Sequence, residues 1–179
     1  NIDLNIESIG VQSTQNQGVD IDHEGHAHLW RRFQFEAAHC LPNVPEGHQC
    51  GRMHGHSFEV ILHVEQSIEG SDMGVDYDWL GAIWQPIHDQ LDHICLNDIP
   101  GLENPTSEMI AKWIWEKLHN RISNLSWVSV YETVTAGCHY NGGDYRIWKE
   151  QRFEAATMLR YAPANDPRQR LHGHSHVSR

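Results

Sequence analysis

Polar and apolar residues alternate from Leu29 to His39, where Phe33, Phe35 and Ala37 fall between Arg32, Gln34 and Glu36. A period of two predicts a first strand. A second strand is predicted from His54 to Glu65. Its residues His54, His56, Phe58, Val60, Leu62 and Val64 share one face, because strand side chains alternate. Between them, residues 40–53 hold two prolines and two glycines and read as a long loop. Loops of that length inside a domain are usually functional. The pattern then becomes helical from Tyr77 to Gln90, with Leu80, Ile83, Trp84, Ile87 and Leu91 at helical spacing. Pro86 inside it predicts a kink or a split. Asn104-Pro105-Thr106 opens a second helix, with Thr106 as N-cap and Glu108 in the positive first turn. Ile110, Trp113, Ile114 and Leu118 form its apolar stripe. A third strand spans Trp127–Thr135, with Val128, Val130, Glu132 and Val134 on one face. Asn141-Gly142-Gly143 then turns into a short strand, Asp144–Trp148. Strand, strand, helix, helix, strand, strand predicts an α+β domain, an antiparallel sheet with its helices on one face.

The ends of the chain depart from this pattern. Residues 1–28 are rich in Asn, Gln, Asp, Gly and Ser, and read as a polar, poorly ordered N-terminal tail. The chain begins at Asn1 rather than Met, as a processed or partial chain does. Residues 29–148 are expected to be the folded catalytic domain. Residues 149–179 repeat its opening. At an offset of 118 positions, Phe35-Glu36-Ala37-Ala38 matches Phe153-Glu154-Ala155-Ala156, and His54-Gly55-His56-Ser57 matches His172-Gly173-His174-Ser175, without a gap. The copy has Thr157 at the place of His39 and Arg168 at the place of Cys50. It reads as the truncated start of a degenerate second copy. It is also locally basic, with Lys149, Arg152, Arg160, Arg168, Arg170 and Arg179.

Composition narrows the function. A formal net charge of −11, with no basic run, argues against a binder of nucleic-acid backbone. No apolar run is long enough to span a membrane, and no signal peptide is visible, so neither a membrane nor an exported role is expected. Cys40, Cys50, Cys95 and Cys138 form no Cys-x-x-Cys pair, which fits free thiols in a reducing cytoplasm.

The chemistry gathers around histidine, of which there are 15. His39 ends the first strand; His54 and His56 open the second and point the same way, roughly 7 Å apart at ~3.3 Å per residue. Three imidazoles are the ligand count a catalytic zinc keeps, leaving a fourth position open; imidazole also suits Cu, Ni and Fe. Cys50 lies between His48 and Arg52, a setting that favours a thiolate. It is a candidate general base, nucleophile or fourth ligand. Asp92-His93 is a candidate acid–base relay. Glu132 on an apolar strand face needs a partner, either water at a strand end or the N–H groups of a ligand. His23, His26 and His28 form a further cluster in the tail, with adventitious metal binding as its simplest chemistry.

Phe-Glu-Ala-Ala-His39, Gly-His-Gln-Cys50-Gly-Arg-Met-His54-Gly-His56-Ser, Leu-Asp92-His93-Ile-Cys-Leu-Asn-Asp, Asn104-Pro-Thr-Ser-Glu108 and Tyr-Glu132-Thr follow one another in order. Together they resemble the 6-pyruvoyltetrahydropterin synthase superfamily over about residues 31–140. They look most like its bacterial 6-carboxy-5,6,7,8-tetrahydropterin synthases of the queuosine pathway. The resemblance implies a tunnelling fold: a four-stranded antiparallel sheet with two helices, assembling as a homo-oligomer, a hexamer or similar ring, whose strands close a barrel with active sites between subunits. It implies a cytoplasmic zinc-dependent lyase that converts 7,8-dihydroneopterin triphosphate to 6-carboxy-5,6,7,8-tetrahydropterin, acetaldehyde and triphosphate. His39, His54 and His56 match the Zn²⁺ ligands, Cys50 the general base, Asp92 and His93 its relay partners, and Glu132 the carboxylate that anchors the pterin ring. Two alternatives carry the same residues: a 6-pyruvoyltetrahydropterin synthase, which stops after triphosphate elimination, and a non-catalytic pterin-binding or assembly protein. Arg52 and Lys112 are candidate holders of the triphosphate.

Overall fold

A computed structural model of the chain describes residues 8–66, 75–158, 161–163, 165–170 and 172–178. In chain order its elements are β1 (Ser8–Thr14), β2 (Gln17–Asp22), β3 (Ala27–His39), β4 (His54–Gln66), α1 (Tyr77–Leu91), β5 (Ile94–Cys95), α2 (Ser107–Leu118), β6 (Leu125–Thr133), β7 (Ala136–Tyr140), β8 (Tyr145–Lys149), β9 (Gln151–Thr157) and β10 (His172–Ser178). The chain divides into two compact units, residues 1–147 and residues 148–179.

In the first unit the sheet order is β1-β2-β3-β4-β6-β7-β8, with β5 added to β3. The central ladder is β3 against β4, antiparallel from Ala27↔Gln66 to His39↔His54. Alternation sets its faces. Leu29 and Phe35 of β3, with Phe58, Val60, Leu62 and Val64 of β4, all point to one side and are buried. The two helices cover that side. α1 contributes Leu80, Ile83, Trp84, Ile87 and Leu91, and α2 contributes Ile110, Ala111, Trp113, Ile114 and Leu118. Burying each such side chain contributes about 1.5–3 kcal/mol. The result is the α+β architecture the pattern predicts: an antiparallel sheet with two helices.

Three elements differ from the sequence expectation. Residues 8–22, expected in a disordered tail, form the β1–β2 hairpin; residues 1–7 lie outside the described residues. The tertiary cause is β2 pairing with the outer edge of β3, from Gln17↔Arg31 to Ile21↔Ala27. α1 runs uninterrupted through Pro86. Buried Trp84 and Ile87 flank the proline, and that packing outweighs the ~3 kcal/mol an internal proline costs. The strand expected to reach Thr135 ends at Thr133. Val134, expected on the apolar face, is 88% exposed in a turn, and the chain returns as β7. A Val-Thr turn carries none of the Gly, Asn or Pro that marks a hairpin.

The second unit reproduces the β3–β4 corner of the first. β9 pairs with β10 so that Glu154↔Ser175, Ala155↔His174 and Thr157↔His172. In β3–β4 the pairs are Glu36↔Ser57, Ala37↔His56 and His39↔His54. The 3-10 turn at Gln49–Gly51 recurs at Pro167–Gln169. The turn hydrogen bond Gly51 N–H to His48 O recurs as Gln169 N–H to Asp166 O. The repeat is therefore one of backbone register as well as of letters.

Candidate metal centre

The register of β3 and β4 assembles the three histidines. His39 lies directly across from His54, and His56 lies across from Ala37, two residues along. All three sit on the helix-facing side, at the end of the core. Their ring centroids are 4.6 Å (His39–His54), 5.2 Å (His39–His56) and 4.9 Å (His54–His56) apart. Phe58, fully buried, meets His39 and His56 edge-on at 5.4 and 5.5 Å and forms the floor of the group.

Two of the rings have their tautomer fixed by the backbone. His39 Nδ1 lies 2.9 Å from the Pro105 carbonyl oxygen, and His54 Nδ1 lies 2.7 Å from that of Arg52. A carbonyl only accepts, so each Nδ1 carries the proton and each Nε2 is left with a lone pair. Pro105 belongs to the turn that starts α2, so the helix entrance also orients the His39 ring. Asn97 holds the strand end beside it: Cys40 N–H donates to Asn97 Oδ1 at 2.9 Å, and Asn97 Nδ2 donates to the Cys40 carbonyl at 2.8 Å.

Glu132 completes the cluster from β6. The pair Glu59↔Tyr131 sets Glu132 beside Phe58, on the histidine side. Its Oε1 is 3.1 Å from both His39 Nε2 and His56 Nε2. Yet neither buried nitrogen has a hydrogen-bond partner. His39 can donate to Glu132 only with a second proton, because its first is committed to Pro105. A cation among the four groups relieves the opposed lone pairs at once. His39, His54, His56 and Glu132 offer ligand atoms that all lie within 4.8 Å of one another. Three imidazoles and a carboxylate suit a divalent transition ion, so the residues fit a metal. The electrostatics agree. Burial, with the neighbouring imidazoles, pushes His56 below the ordinary histidine value, against the pull of Glu132. Contact with His39 holds the Glu132 carboxyl below the usual carboxylate range, against burial. A neutral imidazole beside an ionised carboxylate is the state that binds a cation.

The remaining candidates lie around this group. Cys50 sits in the 3-10 turn, half-buried, with its carbonyl accepting from Leu41 N–H at 2.8 Å and its N–H donating to His48 Nδ1 at 3.1 Å. Asp92 and His93 are fixed elsewhere on β3. Asp92 Oδ1 accepts Glu36 N–H at 2.8 Å, and His93 N–H donates to Glu36 O at 2.6 Å. The second Asp92 oxygen lies 2.7 Å from His93 Nδ1. These bonds, the Glu36 N–H first, hold Asp92 below the usual carboxylate range. His93 has φ +58, a left-handed conformation costing of order 1–3 kcal/mol that persists only where its surroundings impose it. Within one chain, among the described residues, no hydrogen bond joins Cys50 to this pair. His56 and His93 do line one cavity of about 500 Å³, with Glu36, Gly55, Ser57 and Cys95.

Sequence reasoning missed Pro105, Asn97, Phe58 and Ser107, whose Oγ lies 3.4 Å from Glu132 Oε2, as supports. Only Phe58 carried a signal, since it continues the His54–His56 face. His23 and His26 lie in the β2–β3 turn, and His28 is the second residue of β3. There Asp22, Glu24 and His26 bring three ligand atoms together at the surface. Asp22 accepts the N–H groups of Glu24 and His26, and its pKa falls to about 2. Among the described residues, no helix is long and apolar enough to cross a membrane.

Comparison with known proteins brings the same elements together. The family model for 6-pyruvoyl tetrahydropterin synthase matches residues 28–143. A protein of Synechocystis sp. named 6-carboxy-5,6,7,8-tetrahydropterin synthase is 43% identical over 119 residues, which is 63% of this chain and 91% of the relative. A dihydroneopterin monophosphate aldolase of Pyrococcus furiosus is 32% identical over 96 residues, 54% of this chain and 78% of that one. The structure of Caenorhabditis elegans 6-pyruvoyl tetrahydropterin synthase superposes with a TM-score of 0.55 at 23% identity, over 69% of this chain and 95% of the other, a likeness of fold.

Proposed function

The chain belongs to the 6-pyruvoyl tetrahydropterin synthase family, and from that premise we propose that it is a zinc-dependent lyase that turns 7,8-dihydroneopterin triphosphate and one water into 6-carboxy-5,6,7,8-tetrahydropterin, acetaldehyde and triphosphate. The observation that carries this reading is the convergence of two backbone-oriented imidazoles, a third imidazole and a carboxylate on one point, with His39 buried and the other three half-buried. The named activity of the Synechocystis relative supports the choice of product.

His39, His54 and His56 would hold Zn²⁺, with Nδ1 of His39 and His54 tied back to carbonyls. Bound there, the ion would supply Lewis acidity to the substrate's side-chain hydroxyls. Cys50 takes a side-chain proton as general base. Asp92 keeps the His93 proton on Nδ1, which frees the other ring nitrogen to pass a proton on. Glu132 accepts the amino and ring N–H groups of the pterin, and a buried carboxylate needs such donors. Cys50 and the Asp92–His93 pair are anchored to different stretches of β3 and its end. A homo-oligomer whose neighbouring subunits complete one another's sites accounts for this separation. Arg52 and Lys112 are the groups proposed for the triphosphate, in a chain otherwise acidic, and the enzyme acts in the cytoplasm on a small molecule. Residues 149–179 are the opening of a second copy that lacks the equivalents of His39 and Cys50, and so lacks the chemistry.

Product analysis by mass spectrometry tests the reaction. The expected products are the carboxypterin and acetaldehyde. 6-Pyruvoyltetrahydropterin without acetaldehyde would assign the chain to triphosphate elimination alone. Glycolaldehyde phosphate, released with a hydroxymethyl-dihydropterin from dihydroneopterin monophosphate, would assign it to the aldolase chemistry that the Pyrococcus relative's name states. Cys50→Ala should abolish turnover while leaving metal content unchanged; undiminished turnover sinks its role as base.

A further inference from the structure

Glu132 has one duty in the proposed reaction, to hold the pterin ring, and a position that serves another. Its Oε1 stands 3.1 Å from both His39 Nε2, which carries that ring's lone pair, and His56 Nε2. Ligand atoms bound to one tetrahedral ion at ~2.0–2.1 Å lie about 3.3 Å apart, so these spacings are those of a shared ion. The other carboxylate oxygen is held from behind. Ser107 Oγ, on the first residue of α2, lies 3.4 Å from Glu132 Oε2. One oxygen is thus directed at the imidazoles and the other at the N-terminus of a helix, where negative charge is favoured. A carboxylate waiting for a ring would not need to face the ligand nitrogens.

Resting on the metal-centre reading above, we propose that Glu132 is the fourth ligand of the metal in the substrate-free enzyme, so that the centre rests closed and the pterin ring opens it. The exchange involves no redox change. The bond from the carboxylate to the ion breaks, and the freed carboxylate accepts the amino and ring N–H groups of the pterin. The vacated position then becomes available to the substrate's side chain. Only a ligand with the amino–N–H edge of a pterin competes for the carboxylate. Simple diols and sugar triphosphates carry hydroxyls but no such edge, and they meet a closed centre. Glu132 therefore acts as a selector as well as an anchor.

The test uses the full chain loaded with Co²⁺, whose visible absorption reports its ligand number and type. Wild type is compared with Glu132→Gln and Glu132→Ala, and neopterin and glycerol serve as probes. The proposal expects both variants to fold and to bind Co²⁺ at least about tenfold more weakly, on the scale of lost metal-site partners, with a changed spectrum. Neopterin should change the wild-type spectrum, whereas glycerol should leave it as it was. Equal affinity and identical spectra in wild type and both variants would overturn the proposal while leaving the histidine centre intact; the 3.1 Å contacts would then be hydrogen bonds of the metal-free chain. Failure of wild type to bind Co²⁺ at all would overturn the metal-centre reading itself.

Discussion

Phe58→Ala separates packing from metal binding at this centre. Phe58 is fully buried, stacks on Phe35 with ring centroids 4.9 Å apart, and meets His39 and His56 edge-on. Truncating a buried phenylalanine costs about 3–5 kcal/mol in lost transfer energy and residual cavity. In a domain of this size each kcal/mol lowers Tm by roughly 2–4 °C, so the expected fall is roughly 6–20 °C. Phe35→Ala supplies the control, since Phe35 is equally buried and its ring contact is with Phe58 rather than with an imidazole. Both variants should lose comparable stability in urea denaturation. Phe58→Ala should also bind metal more weakly, by roughly 10–100-fold if the ring orients two ligands as outer partners do. Phe35→Ala should keep near wild-type affinity under conditions where both are folded. If both bind metal equally well, the ring does not position the imidazoles, and the register of β3 and β4 is sufficient.

Three further outcomes follow from named contacts. His63 is half-buried, its ring tilted against Trp127 and its Nε2 3.0 Å from Ser129 Oγ, and desolvation pushes its pKa down to about 3. The unfolded chain binds that proton below about pH 6.5 and the folded chain does not. Stability should therefore fall by about 1.4 kcal/mol per pH unit from 6.5 downward, or roughly 2 kcal/mol by pH 5, relative to His63→Gln; parallel urea curves for the two proteins would contradict this. Asp92→Asn keeps an oxygen for Glu36 N–H but loses the acceptor of the His93 proton. It should lower kcat by 10²–10⁴ and alter its pH profile with metal content unchanged; an unchanged pH profile removes Asp92 from the relay. Gly142 has φ +93, and an added Cβ would come 2.7 Å from the Trp115 ring. Gly142→Ala should thus cost about 1 kcal/mol or more, and an unshifted urea midpoint would refute the strain.

Both helices, the central strands and the cluster of His39, His54 and His56 were legible because each depends on local periodicity or on a dense motif. His39, His54 and His56 fall together because alternation and pairing fix their face once the strands are recognised. The β1–β2 hairpin was not legible. Its Ile9, Val11, Val19 and Ile21 do alternate, but polar composition masks them, and pairing to β3 is a long-range event. The turn after Thr133 and the continuity of α1 through Pro86 are likewise decided by tertiary packing. The place of Glu132 on an apolar face leaves open water at a strand end or the N–H groups of a ligand, and its role as pterin anchor is implied only by the family resemblance. Its approach to the His39 and His56 nitrogens depends on the register between β4 and β6, which no local pattern reports. Pro105 and Asn97 act through a backbone carbonyl and a side-chain amide held by distant segments, so residue type alone does not mark them.

The central claim is that this histidine centre holds the ion on which turnover depends. Turnover of 7,8-dihydroneopterin triphosphate is measured on the purified chain, on the same protein after a chelator, and after zinc is returned. The account predicts carboxypterin and acetaldehyde from the untreated protein, loss of both on chelation, and recovery with zinc in wild type but not in His39→Ala. Full turnover by metal-depleted protein, or recovery without His39, would contradict it.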